Sequence, residues 1–397
     1  MKQWIKRAFF ALFFGLIIIP AEAQEAFKAT IDKVNGVQNI VPAHKLFVMH
    51  DKPSYVAGET IWLSTFLVDG TFHQLNALTN TVYIDLLDQD GTIVLRRMLH
   101  SPLGISWGQI GLPSDLKAGT YVLHGYTNYM RNMGEEFFFK KAIAVYNPDN
   151  LPVQSTASAE IDLQFFAESG HFLIGIENTI AFKAIGPDGL PVDISGTIKD
   201  ETGTEITTFE TTHHGMGKIT LTPVPGKQYT AQYSYRDQPA SQVALPSVEF
   251  SGYVLKITRE TDHFKCFIYR NTTDDDVQIG IMAQSRGLIR FTAQGKIGNS
   301  SVVNIPFSDL PTGITQITLF NGEGAPIGER LVFMNHQQDL DIRMVTDAPS
   351  YGNREKVTVD VQIDDPSMAD KDTAEIFFSA TVFDTQAYSE RQQGTTD

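Results

Sequence analysis

The sequence predicts an all-β protein built as a tandem of antiparallel β-sandwiches, and three observations predict it. Apolar and polar residues alternate with period two over many short runs, such as Val357 to Ile363. Turn-forming residues separate these runs, as in Gln89-Asp90-Gly91 between Thr81–Asp88 and Thr92–Leu99. Helical periodicity is nearly absent beyond residue 23. Short strands with frequent turns are typical of sandwiches rather than of α/β units.

The first 23 residues have the features of a signal peptide. Lys2, Lys6 and Arg7 precede an apolar run from Ala8 to Ile19, and Ala21-Glu22-Ala23 has the form of a cleavage site. The run is shorter than the roughly 20 residues that a spanning helix needs, although a retained anchor is the alternative. We therefore expect an exported chain that begins near Gln24, contains no transmembrane segment and forms a monomer-like rod.

Composition limits the partners and the compartment. The formal net charge of -15 excludes nucleic acid, because no basic surface would neutralise phosphates. Cys266 is the only cysteine, so no disulfide forms within the chain. An exported protein of several domains without disulfides fits bacterial export. Since Cys266 shares a strand face with Phe264 and Ile268, we expect it to be a small buried apolar residue.

Breaks in the alternation predict the domain boundaries. Three stretches are interpreted as linkers: residues 147–159, Ser241 to Gly252, and Asn335 to Asp339. The expected organisation is a signal peptide at 1–23, an N-terminal arm at 24–44, sandwiches at 45–148, 160–243 and 250–337, and an incomplete sandwich at 338–397. The last piece contains two strand-like runs, Val357 to Ile363 and Glu375 to Phe383. We expect it to be half a domain of a longer parent chain, because two or three strands cannot bury both faces of a sandwich.

A short motif occurs twice. Pro53-Ser-Tyr55 is followed three residues later by Glu59, and Pro349-Ser-Tyr351 is followed three residues later by Glu355. Each copy lies between two strand-like segments, which is typical of a repeated structural corner rather than of an active site. Both tyrosines are therefore expected to be equivalent core residues. The residues assigned a structural role are Tyr55, Gly58, Glu59, Trp62, Tyr351 and Glu355, with Trp62 also expected in the core.

The first copy resembles a known family. Lys52-Pro-Ser-Tyr-Val-Ala-Gly-Glu-Thr-Ile-Trp62 is similar to the opening of the second macroglobulin (MG2) domain of α2-macroglobulins. Further stretches resemble large exported proteins of Bacteroidetes type, which often end in a TonB-dependent receptor plug domain: Leu116–Tyr121, Tyr126–Asn132, Glu135–Lys140, Phe166–His171, Ala181–Ala184, Leu310–Ile314 and Gly328–Phe333. The resemblance implies tandem macroglobulin-like (immunoglobulin/fibronectin-like) sandwiches. Phe267 follows the sole cysteine, so the Cys-Gly-Glu-Gln thioester of protease-trapping members is absent and trapping is not implied.

Three clusters contain residue types that could carry chemistry. His213-His214-Gly215-Met216-Gly217 is interpreted as a polar turn, because adjacent histidines on a strand point to opposite faces and rarely share a metal. Glu168 and His171 form either an acid–base pair or, as favoured, a turn. Asp274-Asp275-Asp276 is interpreted as a solvated turn, with weak calcium binding as the alternative. No catalytic, cofactor-binding or metal residue is assigned from the sequence.

The expected function is that of a non-catalytic scaffold or binding protein, exported to the periplasm or outer-membrane surface. The resemblance implies a cell-envelope protein or an outer-membrane transporter as partner, with this chain as the N-terminal part of a TonB-dependent transport protein. Two alternatives stay open: a substrate-presenting segment of a secreted hydrolase, and a thioester-free protease inhibitor. A carbohydrate-presenting platform needs exposed aromatic side chains on one face, and the three tryptophans are not expected to provide one.

Overall fold

The structure, a computed structural model, describes residues 21–40, 43–150, 161–187, 189–235, 240–271, 276–364 and 377–382. Over these residues the chain is all-β apart from one α-helix and short 3₁₀ turns, and the strands form three sandwiches and a separate hairpin. The predicted tandem of antiparallel β-sandwiches is confirmed.

The first sandwich pairs a three-stranded sheet with a five-stranded sheet. The smaller sheet has the order β1-β3-β6, and the larger sheet has the order β2-β8-β7-β4-β5. Their bounds are β1 His44–His50, β2 Ser54–Val56, β3 Thr60–Asp69, β4 Thr81–Leu87, β5 Ile93–His100, β6 Ile105–Gly111, β7 Gly119–Tyr126 and β8 Phe139–Tyr146. Only β2 and β8 pair in parallel. Leu46, Ile61, Ile84 and Leu123 lie in the core between the sheets, as the alternation predicts.

The second and third sandwiches each pair a three-stranded sheet with a four-stranded sheet. The second has the orders β13-β10-β9 and β12-β11-β14-β15. Its strands are β9 Asp162–Ala167, β10 Asn178–Ile185, β11 Ser195–Asp200, β12 Glu205–Glu210, β13 Met216–Leu221, β14 Tyr229–Ser234 and β15 Ser241–Ala244. The third has the orders β16-β17-β20 and β19-β18-β21-β22. Its strands are β16 Tyr253–Arg259, β17 His263–Arg270, β18 Val277–Ser285, β19 Leu288–Ile297, β20 Ser300–Pro306, β21 Gly313–Asn321 and β22 Pro326–Met334.

One expected linker differs from the structure. Ser241 to Gly252 does not begin as a linker, because β15 pairs with β14 and Leu245 is buried in the second core. The edge strand was missed because only four residues pair. The stretch from 147 to 159 lies partly outside the described residues. Asn335 to Asp339 carries no helix or strand, as a linker should.

The arm expected at 24–44 is instead a helix, α1, from Ala21 to Ile40, which starts inside the predicted cleavage site. It packs on the four-stranded sheet of the third sandwich. Phe27 is buried there against Phe320, with 5.5 Å between ring centroids, and Ile31 and Val34 continue the contact. The spacing of Phe27, Ile31 and Val34 is helical, and it was missed because so short an amphipathic pattern stood alone.

The helix changes the expected shape of the chain. Only three residues separate Ile40 from His44, so the first sandwich must start within about 14 Å of the end of the helix. The helix itself lies on the third sandwich. Consistent with this, the pKa of His73 in the first sandwich is lowered by burial and next by the guanidinium of Arg286 in the third. The described part of the chain is therefore not the simple end-to-end rod that was expected.

The fourth piece is a two-stranded hairpin of β23 (Asp341–Thr346) and β24 (Val359–Asp364). The alternation of apolar and polar residues from Val357 to Ile363 predicts that one face is buried and the other exposed, yet the side chains of both faces are largely exposed. The second strand expected in this piece, Glu375 to Phe383, falls partly outside the described residues. The described residues 377–382 carry no strand assignment.

Candidate functional site

Asp51 is the centre of the first corner. Its Oδ1 accepts a hydrogen bond from the Tyr55 hydroxyl at 2.8 Å and another from the backbone N–H of Trp62 at 2.9 Å. The Tyr55 hydroxyl in turn accepts from the backbone N–H of Lys52 at 3.1 Å. The Tyr55 ring is only 1% exposed and belongs to the core. One carboxylate thus joins the end of β1 to the start of β3 through a buried tyrosine.

Glu59 closes the turn between β2 and β3. It accepts from the backbone N–H of Val56 at 2.9 Å and from the ammonium of Lys52 at 2.7 Å. Burial alone would raise the pKa of Glu59, but these hydrogen bonds outweigh it and the pKa is lowered. Gly58 occupies the left-handed region with φ of +88°, which glycine adopts without strain.

The second corner repeats these hydrogen bonds at positions 296 residues later. Asp347 accepts from the Tyr351 hydroxyl at 2.5 Å and from the Thr358 N–H at 3.1 Å. Glu355 accepts from the Gly352 N–H at 2.6 Å. These bonds lower the pKa of Asp347, with the Tyr351 hydroxyl as the largest cause. The same local geometry thus arises twice in one chain.

The two corners differ in their surroundings. Tyr351 is only half-buried, so the expectation that both tyrosines are equivalent core residues is wrong for this copy. Its ring has no second sheet to pack against within the described residues. Arg354 stands where Gly58 stands in the first copy and holds a φ of +61°, which is strained for a side chain with a Cβ.

Trp62 does not lie in the core as expected. Its side chain is 57% exposed, because Ile61 and Leu63 take the inward positions on β3 and period two turns Trp62 outward. Its backbone takes part in the corner: the N–H donates to the Asp51 carboxylate, and the carbonyl oxygen accepts from the Asp51 N–H at 3.2 Å. Asp51 and Asp347 were missed, although the recurrence of aspartate four residues before each tyrosine was a readable signal.

The carboxylates and the tyrosine of the first corner are engaged by structural donors. His50 is the nearest base, with Nδ1 at 2.7 Å from the Lys52 carbonyl oxygen and 3.5 Å from the Tyr55 hydroxyl. Its pKa is lowered, chiefly by burial. What this arrangement does is hold three chain segments together; it presents no activated nucleophile beside a base.

The histidine pair lies in a turn, as expected, but the two rings are close. His214 has a φ of +46°, so the chain is not extended there and the rule of opposite faces fails. The ring centroids of His213 and His214 are 4.0 Å apart. They line an open cleft of about 660 Å³ with Asp193, Glu210 and Tyr235. Among the described residues, no three His, Cys, Asp or Glu side chains are arranged to hold a metal ion. Most of Asp274-Asp275-Asp276 lies outside those residues.

Glu168 and His171 lie in a turn and do not pair with each other. Both reach the third sandwich: Glu168 is 3.2 Å from Arg330, and His171 Nε2 is 3.0 Å from the Ile327 carbonyl oxygen. His171 Nδ1 also lies 2.9 Å from Glu249. Between them, Ser169 accepts from the backbone N–H of Leu255 at 3.0 Å. This group is a domain junction that fixes the second sandwich against the third.

Cys266 is fully buried in the third core, as expected from its strand face. Burial raises the pKa of its thiol to about 12, so the thiolate is negligible at neutral pH. In the described part of the chain, no helix is both long enough and apolar enough to span a bilayer.

Comparisons with known proteins bring up chains of β-domains. The sequence matches no protein-family model and no curated protein sequence. Among solved structures, the chain is similar to a Salmonella α2-macroglobulin mutant, with 11% identity and a TM-score of 0.23 over 82% of this chain and 25% of that one. It is also similar to an Escherichia coli α2-macroglobulin activated by porcine elastase, with 13% identity and a TM-score of 0.25 over 77% of this chain and 32% of that one. A third similar structure is dimeric latent PorU from Porphyromonas gingivalis, with 11% identity and a TM-score of 0.30 over 74% of this chain and 33% of that one.

The chain thus spans about a quarter to a third of the length of these structures. All three TM-scores lie well below 0.5, so the fold assignment rests on the sheets described above. The identities are too low to transfer an activity or a partner.

Proposed function

We propose that this chain is a non-catalytic, macroglobulin-like scaffold or binding protein of the bacterial cell envelope. The observation that carries the proposal is the repeated corner. Asp51 and Asp347 each accept a hydrogen bond from the tyrosine four residues later and from the backbone N–H eleven residues later. A site that does chemistry needs free groups, whereas these groups are engaged in joining strands. Repetition of such a corner suits a tandem array of sandwich modules.

The junction between the second and third sandwiches supports a scaffold role. Several polar contacts cross it, including Lys256 to Glu177 at 2.9 Å and Asn271 to the Ile174 carbonyl oxygen at 2.8 Å. These polar contacts between the second and third sandwiches restrain the angle between the two domains. A scaffold needs a restrained angle of this kind, and a flexible linker does not provide it. The signal-peptide pattern before Gln24 and the resemblance to exported Bacteroidetes-type proteins support an envelope location. A role as the N-terminal part of a TonB-dependent transport protein belongs to the same proposal.

Export and partner choice can be tested together. The chain, with a C-terminal tag, would be expressed in a Bacteroidetes host, the envelope cross-linked in intact cells, and the products identified by mass spectrometry. The expected result is a mature N-terminus within a few residues of Gln24 and cross-links to an outer-membrane transport protein. Retention in the cytoplasm, or an intact Met1 in the membrane fraction, would contradict the proposal. Inhibition of added proteases would favour the inhibitor alternative.

A further inference from the structure

The outer face of the first three-stranded sheet carries exposed aromatic side chains. Phe47 on β1 and Trp62 on β3 are each 57% exposed, and Trp107 on β6 is 78% exposed. Ordinary soluble surfaces expose apolar residues singly, whereas a contiguous exposed patch marks an interaction site. This patch was not predicted, because Trp62 was expected in the core.

The strand register places a small polar residue at the centre of the patch. Ser64 lies directly opposite Met49 on one side and Trp107 on the other. Trp62 and Phe66 lie two residues away along the same strand face. Large side chains thus surround a serine. We call this surface the aromatic dish, comprising Phe47, Met49, Trp62, Ser64, Phe66 and Trp107; none of its members is charged.

Part of the chain itself already lies on the dish. The Ser379 hydroxyl is 2.7 Å from the Ser64 hydroxyl, which places residues 378–380 over its floor. These residues belong to the described stretch 377–382, which carries no strand assignment. The dish therefore contacts a peptide segment through a hydroxyl that lies between Phe378 and Ala380 in the sequence.

Residues 377–383 correspond in the repeat to a core strand of the first sandwich, which explains their apolar character. By the offset of 296 residues that relates the two corners, residues 377–383 correspond to β4, the strand that crosses the first core. Val82 and Leu86 of β4 are 0% exposed, but the corresponding Phe378 and Val382 are 61% and 96% exposed. A segment of strand-like sequence whose apolar side chains are left uncovered is prone to bind whatever surface it fits.

We propose that the aromatic dish is a docking site for extended, uncharged peptide segments of strand-like sequence, and that residues 377–382 of this chain occupy it in cis. The Ser64 hydroxyl bonds to a hydroxyl of the peptide, and the surrounding rings offer apolar surface to its side chains. Phe378 and Val382 stay largely exposed, so the cis segment covers the dish only in part. This inference does not depend on the envelope location or on a transport partner.

A disulfide trap tests the contact in the full chain. In the Ser64→Cys/Ser379→Cys variant the two sulfur atoms are placed within reach of a disulfide bond. The matched control is Ser300→Cys/Ser379→Cys, which uses an exposed serine of the third sandwich. Native Cys266 is buried and does not compete. Mild oxidation is expected to cross-link the first variant and leave the control open. Cross-linking of both variants to the same extent, or of neither, would overturn the proposal.

Fluorescence tests recognition of the peptide in trans. Only three tryptophans exist, so Trp4→Phe leaves Trp62 and Trp107, both in the dish, as the only emitters. The probe is a peptide of residues 376–383 with blocked termini, which contains no tryptophan and no charged side chain. The cis segment is released by Phe377→Ser/Phe378→Ser/Ser379→Ala, with Phe333→Ser as the control for loss of an exposed phenylalanine.

The peptide is expected to shift the emission to shorter wavelength and to protect it from acrylamide quenching. Since a tethered occupant competes at an effective concentration near millimolar, the released variant should bind at least about tenfold more tightly than the control. Equal binding by the two, or no shift with the peptide, would overturn the proposal. A shift caused by a neutral oligosaccharide but not by the peptide would assign the dish to carbohydrate instead.

Discussion

At the residue scale, the fate of individual side chains was predictable where period two alone decides it. Phe264, Cys266 and Ile268 share one face of β17 and all three are buried, whereas Lys265, Phe267 and Tyr269 on the other face are only partly buried. The same rule was available for Trp62, but its large apolar ring suggested the core and overrode the alternation. Its neighbours Ile61 and Leu63 take the inward positions, so the pattern, rather than residue type, decides which face is buried.

The buried thiol gives a direct test of the third core. Because burial raises the pKa of Cys266 to about 12, the native protein is expected to resist thiol labelling at pH 8 and to label fully in denaturant. Mass spectrometry after reaction with iodoacetamide measures both. Stoichiometric labelling of the native chain within minutes would contradict the burial of this strand face.

A carboxylate in the second sandwich predicts a dependence on pH. Asp200 is buried, and its pKa is held well below the usual range by the Lys227 ammonium and next by the Thr202 hydroxyl. A depressed folded pKa stabilises the protein above the ordinary aspartate pKa of about 4, and this contribution is lost as pH falls through the folded value. The melting temperature of the second sandwich should therefore decrease as the pH is lowered below about 4.

The Asp200→Asn variant is expected to flatten that dependence at acid pH, at the cost of a lower melting temperature near neutrality. Glu205→Gln, which removes an exposed carboxylate on β12, is the matched control and should keep the wild-type slope. Calorimetry from pH 7 to pH 2 compares them. Parallel curves for wild type and Asp200→Asn would show that Asp200 does not carry the effect.

At the element scale, strands and their turns were predictable, but contacts between distant elements were not. The hairpin around Gln89-Asp90-Gly91 forms as predicted, since the turn residues lie within the paired segment. The α1 helix and its seat on the third sandwich are some 250 residues apart, and no local pattern links Phe27 to Gly280. Likewise, the corner motif is visible in the sequence as a repeat. The hydrogen bonds to Asp51 are not, because they depend on how the chain folds at the corner.

The packing of α1 on the third sandwich depends on the absence of a side chain at Gly280. A Cβ at Gly280 would lie 2.6 Å from the Phe27 ring, so Gly280→Ala is expected to loosen α1 from the sheet. Gly295→Ala is the control, because no heavy atom lies within 4 Å of a Cβ there. Hydrogen exchange over residues 25–36 should accelerate at least about tenfold in the first variant only, as for a locally opened element. Equal exchange in both variants would contradict the seat.

The hairpin β23–β24 has the corner and the register of β1–β3 but not its burial. Met344 pairs with Val361 just as Val48 pairs with Thr65. Val48 and Thr65 are 2% and 0% exposed, whereas Met344 and Val361 are 70% and 39% exposed. A strand pair with no covered face is marginal in water. Amides of 341–346 and 359–364 should therefore exchange rapidly while those of β1 and β3 stay protected.

The same mass-spectrometric experiment contains its own control, because both hairpins lie in one chain. Slow exchange across β23 and β24 without an added partner would show that the hairpin is stabilised in another way. Its exposed apolar face would then need a different explanation.

At the scale of the whole molecule, the fold class was predictable from alternation, turn spacing and the near absence of helical periodicity. The arrangement was not. Polar contacts between sandwiches, such as Glu168 to Arg330, involve residues whose local sequence predicts only a turn. The return of α1 to the third sandwich replaces the expected rod with a chain whose first and third sandwiches lie near each other.

We propose that the Tyr55 corner is a structural joint of one module and not a catalytic site. Tyr55→Ala removes a fully buried ring and should destabilise the first sandwich by about 3 to 5 kcal/mol. Tyr351→Ala, at the half-buried second corner, is the matched control and should cost about 1 kcal/mol or less. Hydrogen exchange on the full chain, read for each sandwich separately, measures both. We expect Tyr55→Ala to deprotect residues 43–150 and to leave protection of the second and third sandwiches unchanged. Unchanged protection of residues 43–150 in this variant would contradict the account.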